Sequence, residues 1–99
     1  MPDLRIEWDA AKARANVHKH GITFEEAETA FSDDFAIVVP DPDHSSADEE
    51  RLLLIGLSAA LHVLVVVHCE RERGNVIRLI SARRATRSER AQSGARWRQ

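Results

Sequence analysis

The stretch Arg51-Leu52-Leu53-Leu54-Ile55-Gly56-Leu57-Ser58, followed after a short break by His62-Val63-Leu64-Val65-Val66-Val67-His68, decides the fold of this chain. Both runs are short and rich in branched aliphatic residues, so they read as strands. Residues Ser58 to Leu61 then close a hairpin between them. Downstream, Arg71-Glu72-Arg73-Gly74-Asn75 is a turn with glycine where a positive φ is needed, and Val76-Ile77-Arg78-Leu79-Ile80-Ser81 is the next strand. Upstream, Phe35-Ala36-Ile37-Val38-Val39 is a strand stopped by Pro40, joined to the hairpin by the polar loop from Asp41 to Asp48. Consecutive strands with tight connections predict an antiparallel meander.

The N-terminal third supplies what covers it. Leu4-Arg5-Ile6-Glu7-Trp8 alternates like a half-buried strand. Asp9 caps a helix rich in alanine that ends at Lys19-His20-Gly21, with glycine in the left-handed position and basic groups at the negative end. Thr23-Phe24-Glu25-Glu26 is a capping box opening a second helix, whose apolar face is Phe24, Ala27, Ala30 and Phe31. A second capping box, Thr86-Arg87-Ser88-Glu89, opens a short basic helix, and the chain from about Gly94 is expected to be loosely held. The expectation is one α+β domain over residues 1–99, in the order β-α-α-β-β-β-β-α, with an antiparallel sheet and two helices on one face. The other face is left partly solvated.

Composition limits the function classes. The net charge is only −2, yet five Lys/Arg stand against fourteen Asp/Glu up to residue 70, and nine arginines against two glutamates from residue 71 on. An arginine-only basic third fits phosphate or carboxylate partners, or pairing with the acidic part of the same chain. The single cysteine, Cys69, forms no intrachain disulfide. The N-terminus lacks the apolar run of a signal peptide, and Val63 to Val67 is far too short to cross a bilayer, so a cytoplasmic protein without membrane contact is expected. No Gly-rich phosphate loop, no G-x-S-x-G elbow and no zinc-type spacing occurs among His18, His20, His44, His68 and Cys69. No metal or other cofactor is expected.

Four polar groupings carry the candidate chemistry. Lys19-His20 combines a phosphate-neutralising amine with an imidazole able to move protons. Glu49-Glu50-Arg51 offers a general base beside a guanidinium. His62 and His68 share one strand face but lie about 20 Å apart, so they cannot share a site. Around the last strand, Arg78 projects opposite Ile77 and Leu79, with Ser81, Arg83 and Arg84 close behind.

In that order, Glu7-Trp8-Asp9, Lys12, Asn16, Lys19-His20-Gly21, Phe24-Glu25-Glu26-Ala27, Phe31-Ser32-Asp33, Glu49-Glu50-Arg51, Gly56, Ile77-Arg78-Leu79-Ile80-Ser81-Ala82-Arg83 and Glu89-Arg90 resemble the BrnT family of type II toxins over nearly the whole chain. The resemblance implies a compact RelE-like fold and a ribonuclease that cuts RNA and halts translation. It also implies a cognate BrnA-type antitoxin that binds both toxin and DNA and represses the pair. Relatives often carry a tyrosine shortly after the final Glu-Arg, where Ser93 stands here; Trp97 is the candidate replacement in a chain without tyrosine.

Metal-independent cleavage needs a base for the 2′-hydroxyl, cations on the pentavalent phosphate and an acid for the leaving 5′-oxygen. The expected cations are Arg78 and Arg83, with Lys19 or Arg51; the expected base is Glu50 or His20. His68 is the acid candidate, Ser81 supplies a hydrogen bond, and Arg84, Arg87 and His68 are expected RNA contacts. The competing class is a non-catalytic module of the same fold that binds nucleic acid or a protein partner.

Overall fold

The structure, a computed structural model, describes residues 4–97, with side chains through residue 92. Strand β1 (Arg5–Glu7) leads into helix α1 (Ala10–His20) and helix α2 (Phe24–Thr29), which tightens into a 3-10 turn at Ala30–Ser32. Strands β2 (Ile37–Pro40), β3 (Leu52–Leu57), β4 (Val63–Arg71) and β5 (Val76–Arg84) follow, and helix α3 (Arg87–Trp97) closes the described chain. The local chemistry is as read. Asp9 accepts from the backbone N–H of Lys12, Gly21 takes φ 73° after α1, and Thr23 accepts from the backbone N–H of Glu26. At α3 the capping box is reciprocal: Thr86 Oγ1 accepts from the Glu89 N–H, and Glu89 Oε1 accepts from the Thr86 N–H.

Three features differ from expectation. The strands β2 to β5 pair antiparallel, but β1 adds to the far edge in parallel, against Val76, Ile77 and Arg78, giving the order β1-β5-β4-β3-β2. Helices α1 and α2 carry the chain from β1 across the sheet to β2 at the opposite edge, and the meander β2 to β5 then returns to pair with β1. Second, β5 runs on to Arg84, so Arg83 and Arg84 are strand residues. Third, helix α3 continues through Ser93-Gly94 to Trp97, longer than the short helix expected. The proposed role of Trp97 falls outside the described side chains.

Alternation along the strands sorts the core. One face carries Leu54, Leu64, Val66, Ile77, Leu79 and Ala82, covered by Ile22, Phe24, Ala27 and Ala30 from the helical layer. Position 56 pairs with Leu64 on this face and is glycine because a Cβ there would stand 3.0 Å from both the Ala30 carbonyl oxygen and the Ala36 side chain. The opposite face buries a smaller group, Ile55, Val65 and Ala85, flanked by Ile37, Leu53 and Val63.

Candidate functional site

Strand β5 is where the two faces are re-assigned. Val67 pairs with Ser81, while His68 pairs with Leu79, so Ile80 is an extra residue opposite a continuous β4. Such a bulge shifts the side-chain phase by one. Under strict alternation Ser81 and Arg83 would share the core face of Ile77 and Leu79. The bulge turns them instead to the open face, leaving Ala82 fully buried between them.

Above the bulge, β5 has outrun the short β1, and its edge needs a partner. Asn16 supplies it. Its amide NH2 donates to the carbonyls of Ala82 (2.8 Å) and Ile22 (2.9 Å), and its Oδ1 accepts from the Ala82 N–H (3.0 Å). Buried on α1, this side chain imitates a strand pairing and fixes the last turn of the helix, with Lys19 and His20, beside Ser81.

The result is a cavity of about 460 Å³ on the open face, lined by Lys19, His20, Asp41, His44, Arg51, Leu53, Val67, Ile80, Ser81 and Arg83. Five residues singled out from the sequence therefore meet: Lys19, His20, Arg51, Ser81 and Arg83. A smaller adjoining hollow adds Lys12 and Asn16 and shares Lys19, His20, Ile80 and Ser81. A larger cavity of about 620 Å³ lies elsewhere, but its charged lining groups, Glu25, Glu28 and Asp33, are all acidic and would repel a polyanion.

Each guanidinium at the site has a carboxylate. Arg83 Nη1 and Nη2 each donate to one Glu89 oxygen at 2.8 Å, a bidentate fork. The hydrogen bonds from Arg83 bring the Glu89 pKa down to about 2, burial working against them, and the same bonds raise that of Arg83. Arg51 Nε donates to Glu49 Oε1 at 3.2 Å, and Arg71 holds the other oxygen of Glu49.

The remaining expected site residues lie elsewhere. Arg78 occupies the open face, opposite buried Ile77 and Leu79 as read, but below the bulge; it pairs with Glu7 at 2.8 Å and does not line the cavity. Glu50 lines a separate hollow where Asp48, Glu49, Glu70 and Glu72 outnumber Arg71 and Arg73. Arg84 faces the helical layer, its Nη2 3.1 Å from His62 Nε2, while His62 Nδ1 and Ser58 Oγ both donate to Glu26 at 2.7 Å. Burial of Glu26 opposes ionisation, yet the bonds from Ser58 and His62 leave its pKa below the ordinary value. Arg87 is exposed at the start of α3.

His68 corrects an expectation. It is 1% exposed, edge-on to Phe31 at 5.0 Å, with Nδ1 3.1 Å from the Val66 carbonyl oxygen. Its burial lowers its pKa, so it is a neutral core group with no surface through which to touch RNA or to donate to a leaving group. Two things were not legible in the sequence: the anchoring role of Asn16, and the pairing of Asp41 with His44, a residue weighed there only as loop and as a metal ligand. Among the described residues no three His, Cys, Asp or Glu side chains cluster as a metal site, and no helix is long and apolar enough to cross a membrane.

Comparison with known proteins identifies the family. Residues 8–89 match the family model described as the ribonuclease toxin BrnT of type II toxin–antitoxin systems. The chain is similar to a solved structure of the Brucella abortus ribonuclease toxin BrnT, with 30% identity and a TM-score of 0.64 over 85% of this chain and 99% of that one. No curated protein sequence matches the chain.

Proposed function

Because the chain belongs to the BrnT family of ribonuclease toxins of type II toxin–antitoxin systems, we propose that it cleaves RNA at the cavity beside the α1 C-terminus, without a metal, and thereby stops translation and growth. The observation that carries this reading is the convergence of Lys19, His20, Arg51, Ser81 and Arg83 on one cavity. Lys19 and Arg51 neutralise the phosphate. Arg83, already oriented by Glu89, presents its remaining N–H edge to the charge that develops in the transition state. His20 takes the proton from the 2′-hydroxyl, and Ser81 donates a hydrogen bond to a phosphate oxygen. Lys12 and Lys19, seven residues apart on α1, continue the basic track for the RNA backbone. Arg87 extends it at α3, whereas Arg78, Glu50, Arg84 and His68 have no part in the chemistry.

The partner is a BrnA-type antitoxin that neutralises the toxin and binds DNA to repress the pair, and the toxin acts in the cytoplasm. Induction of the wild-type chain is expected to arrest growth and degrade RNA, and purified protein to cleave RNA in excess chelator. Co-expression of the antitoxin should relieve the arrest. Growth arrest with intact RNA would move the protein to the non-catalytic class, and loss of cleavage on chelation would replace this mechanism with a metal-dependent one.

A further inference from the structure

The loop from Asp41, which lines one side of the cavity, holds a second imidazole, and its fixing is built in. Asp41, 8% exposed, begins the loop: its N–H donates to the Arg51 carbonyl at 2.9 Å, and its carbonyl accepts from Ser45 Oγ at 2.8 Å. Ser45 Oγ in turn accepts from the Arg51 N–H at 2.8 Å. These bonds tie both ends of the loop together where Pro40 pairs with Leu52. The Asp41 carboxylate is left to hold His44, with Oδ2 2.8 Å from Nδ1. A carboxylate can only accept, so the proton lies on Nδ1 and the reactive nitrogen is Nε2. The ring is largely exposed, at 68%, and lines the same cavity as His20.

On the ribonuclease reading, the cavity has a base in His20, but the acid expected from the sequence, His68, is shut in the core. We propose that His44, held by Asp41, is the catalytic acid that protonates the leaving 5′-oxygen. His20 accepts the 2′-hydroxyl proton, and the 2′-oxygen forms a bond to phosphorus. The bond from phosphorus to the 5′-oxygen breaks, and His44 Nε2 gives its proton to that oxygen. The products are a 2′,3′-cyclic phosphate and a 5′-hydroxyl; solvent then returns a proton to His44 and removes one from His20. Asp41 is a positioning residue, keeping Nδ1–H in place in both states of the ring.

The test uses two RNA oligonucleotides alike except at one cleavage position, where the leaving atom is oxygen in one and a 5′-bridging sulfur in the other. A thiolate leaves without a proton. His44→Gln, at an exposed position that leaves the fold intact, should cleave the oxygen substrate about 100-fold more slowly or worse, and the sulfur substrate within a few-fold of wild type. His20→Gln should be slow on both. Asp41→Asn should show part of the His44→Gln loss with the same rescue by sulfur, and no further loss when combined with it. Equal slowing of His44→Gln on both substrates, or wild-type speed on oxygen, overturns the assignment while the ribonuclease reading stands. Failure of the wild-type chain to cleave either substrate removes both.

Discussion

Strand β5 carries two arginines on the same face, each facing a glutamate, yet only one belongs to the cavity. Arg78, below the bulge, pairs with Glu7 of the neighbouring strand β1, and that contact closes a sheet edge. Arg83, above it, pairs with Glu89 of α3 beside a space that β1 does not fill. The contrast shows that residue type and face do not make a site. What separates the two halves of β5 is one extra residue, Ile80, and the end of β1 at Glu7, which together open a corner that α1 enters through Asn16.

The largest effect expected from breaking this arrangement is at Asn16. Asn16→Ala leaves the Ala82 N–H and two carbonyl groups without their partner inside the protein, and should lower stability by about 3 kcal/mol, read from the urea midpoint. A loss under about 0.5 kcal/mol would mean that the corner is not held by this side chain. Next comes the arginine pair itself. Arg83→Ala should slow RNA cleavage by about 100-fold, while Arg78→Ala, remote from the cavity, should stay within a few-fold of wild type. Comparable losses in both would erase the distinction drawn here.

The helix-covered face gives a control of similar size in stability but not in chemistry. Gly56→Ala forces a methyl group to within 3.0 Å of the Ala30 carbonyl oxygen and should cost about 1–3 kcal/mol in thermal or urea unfolding. Catalytic rate at low temperature should be nearly unchanged, because the crowding is on the far side of the sheet from the cavity.

The smallest expected effect separates the two faces by pH. His68 has a folded pKa below its ordinary 6.5, so its contribution to stability is complete above that pH and falls away as the pH drops beneath it. Glu89, at about 2 in the folded chain against an ordinary 4.5, contributes fully above about pH 4.5 and loses that contribution as the pH falls toward 2. Unfolding followed against pH should therefore show a core-face decline beginning below about 6.5 and a further one below about 4.5. Glu89→Gln should shrink the second, leaving the share that Glu26 contributes, and leave the first unchanged.

Much of this architecture was legible in the residues. Asp9, Gly21, Thr23 and Thr86 mark helix ends because each has one job that its side chain or backbone does best, and the paired aliphatic runs mark the meander. What escaped was whatever depends on a partner strand. The bulge leaves no trace in the sequence around Ile80, which is one apolar residue among others; it exists only as a register against Val67 and His68. The burial of His68 was hidden for a related reason: Val63 to Val67 are all apolar, so alternation could not say which face the helices cover. The parallel placement of β1 depends on the edge that β5 presents once the meander has returned across the sheet, not on its own three residues. In the candidate site, Lys19, His20, Arg51, Ser81 and Arg83 were named from their chemistry, whereas Asp41 read as loop polarity and His44 as loop or metal ligand, because only the folded loop pairs them.

The catalytic base, on this account, sits in the cavity and not in the separate hollow that holds Glu50. The most direct test is the initial rate of RNA cleavage by His20→Gln and by Glu50→Gln, each confirmed folded by circular dichroism. His20→Gln should lose about 100-fold or more, and Glu50→Gln should keep its rate within a few-fold. A large loss in Glu50→Gln with His20→Gln close to wild type would contradict the account.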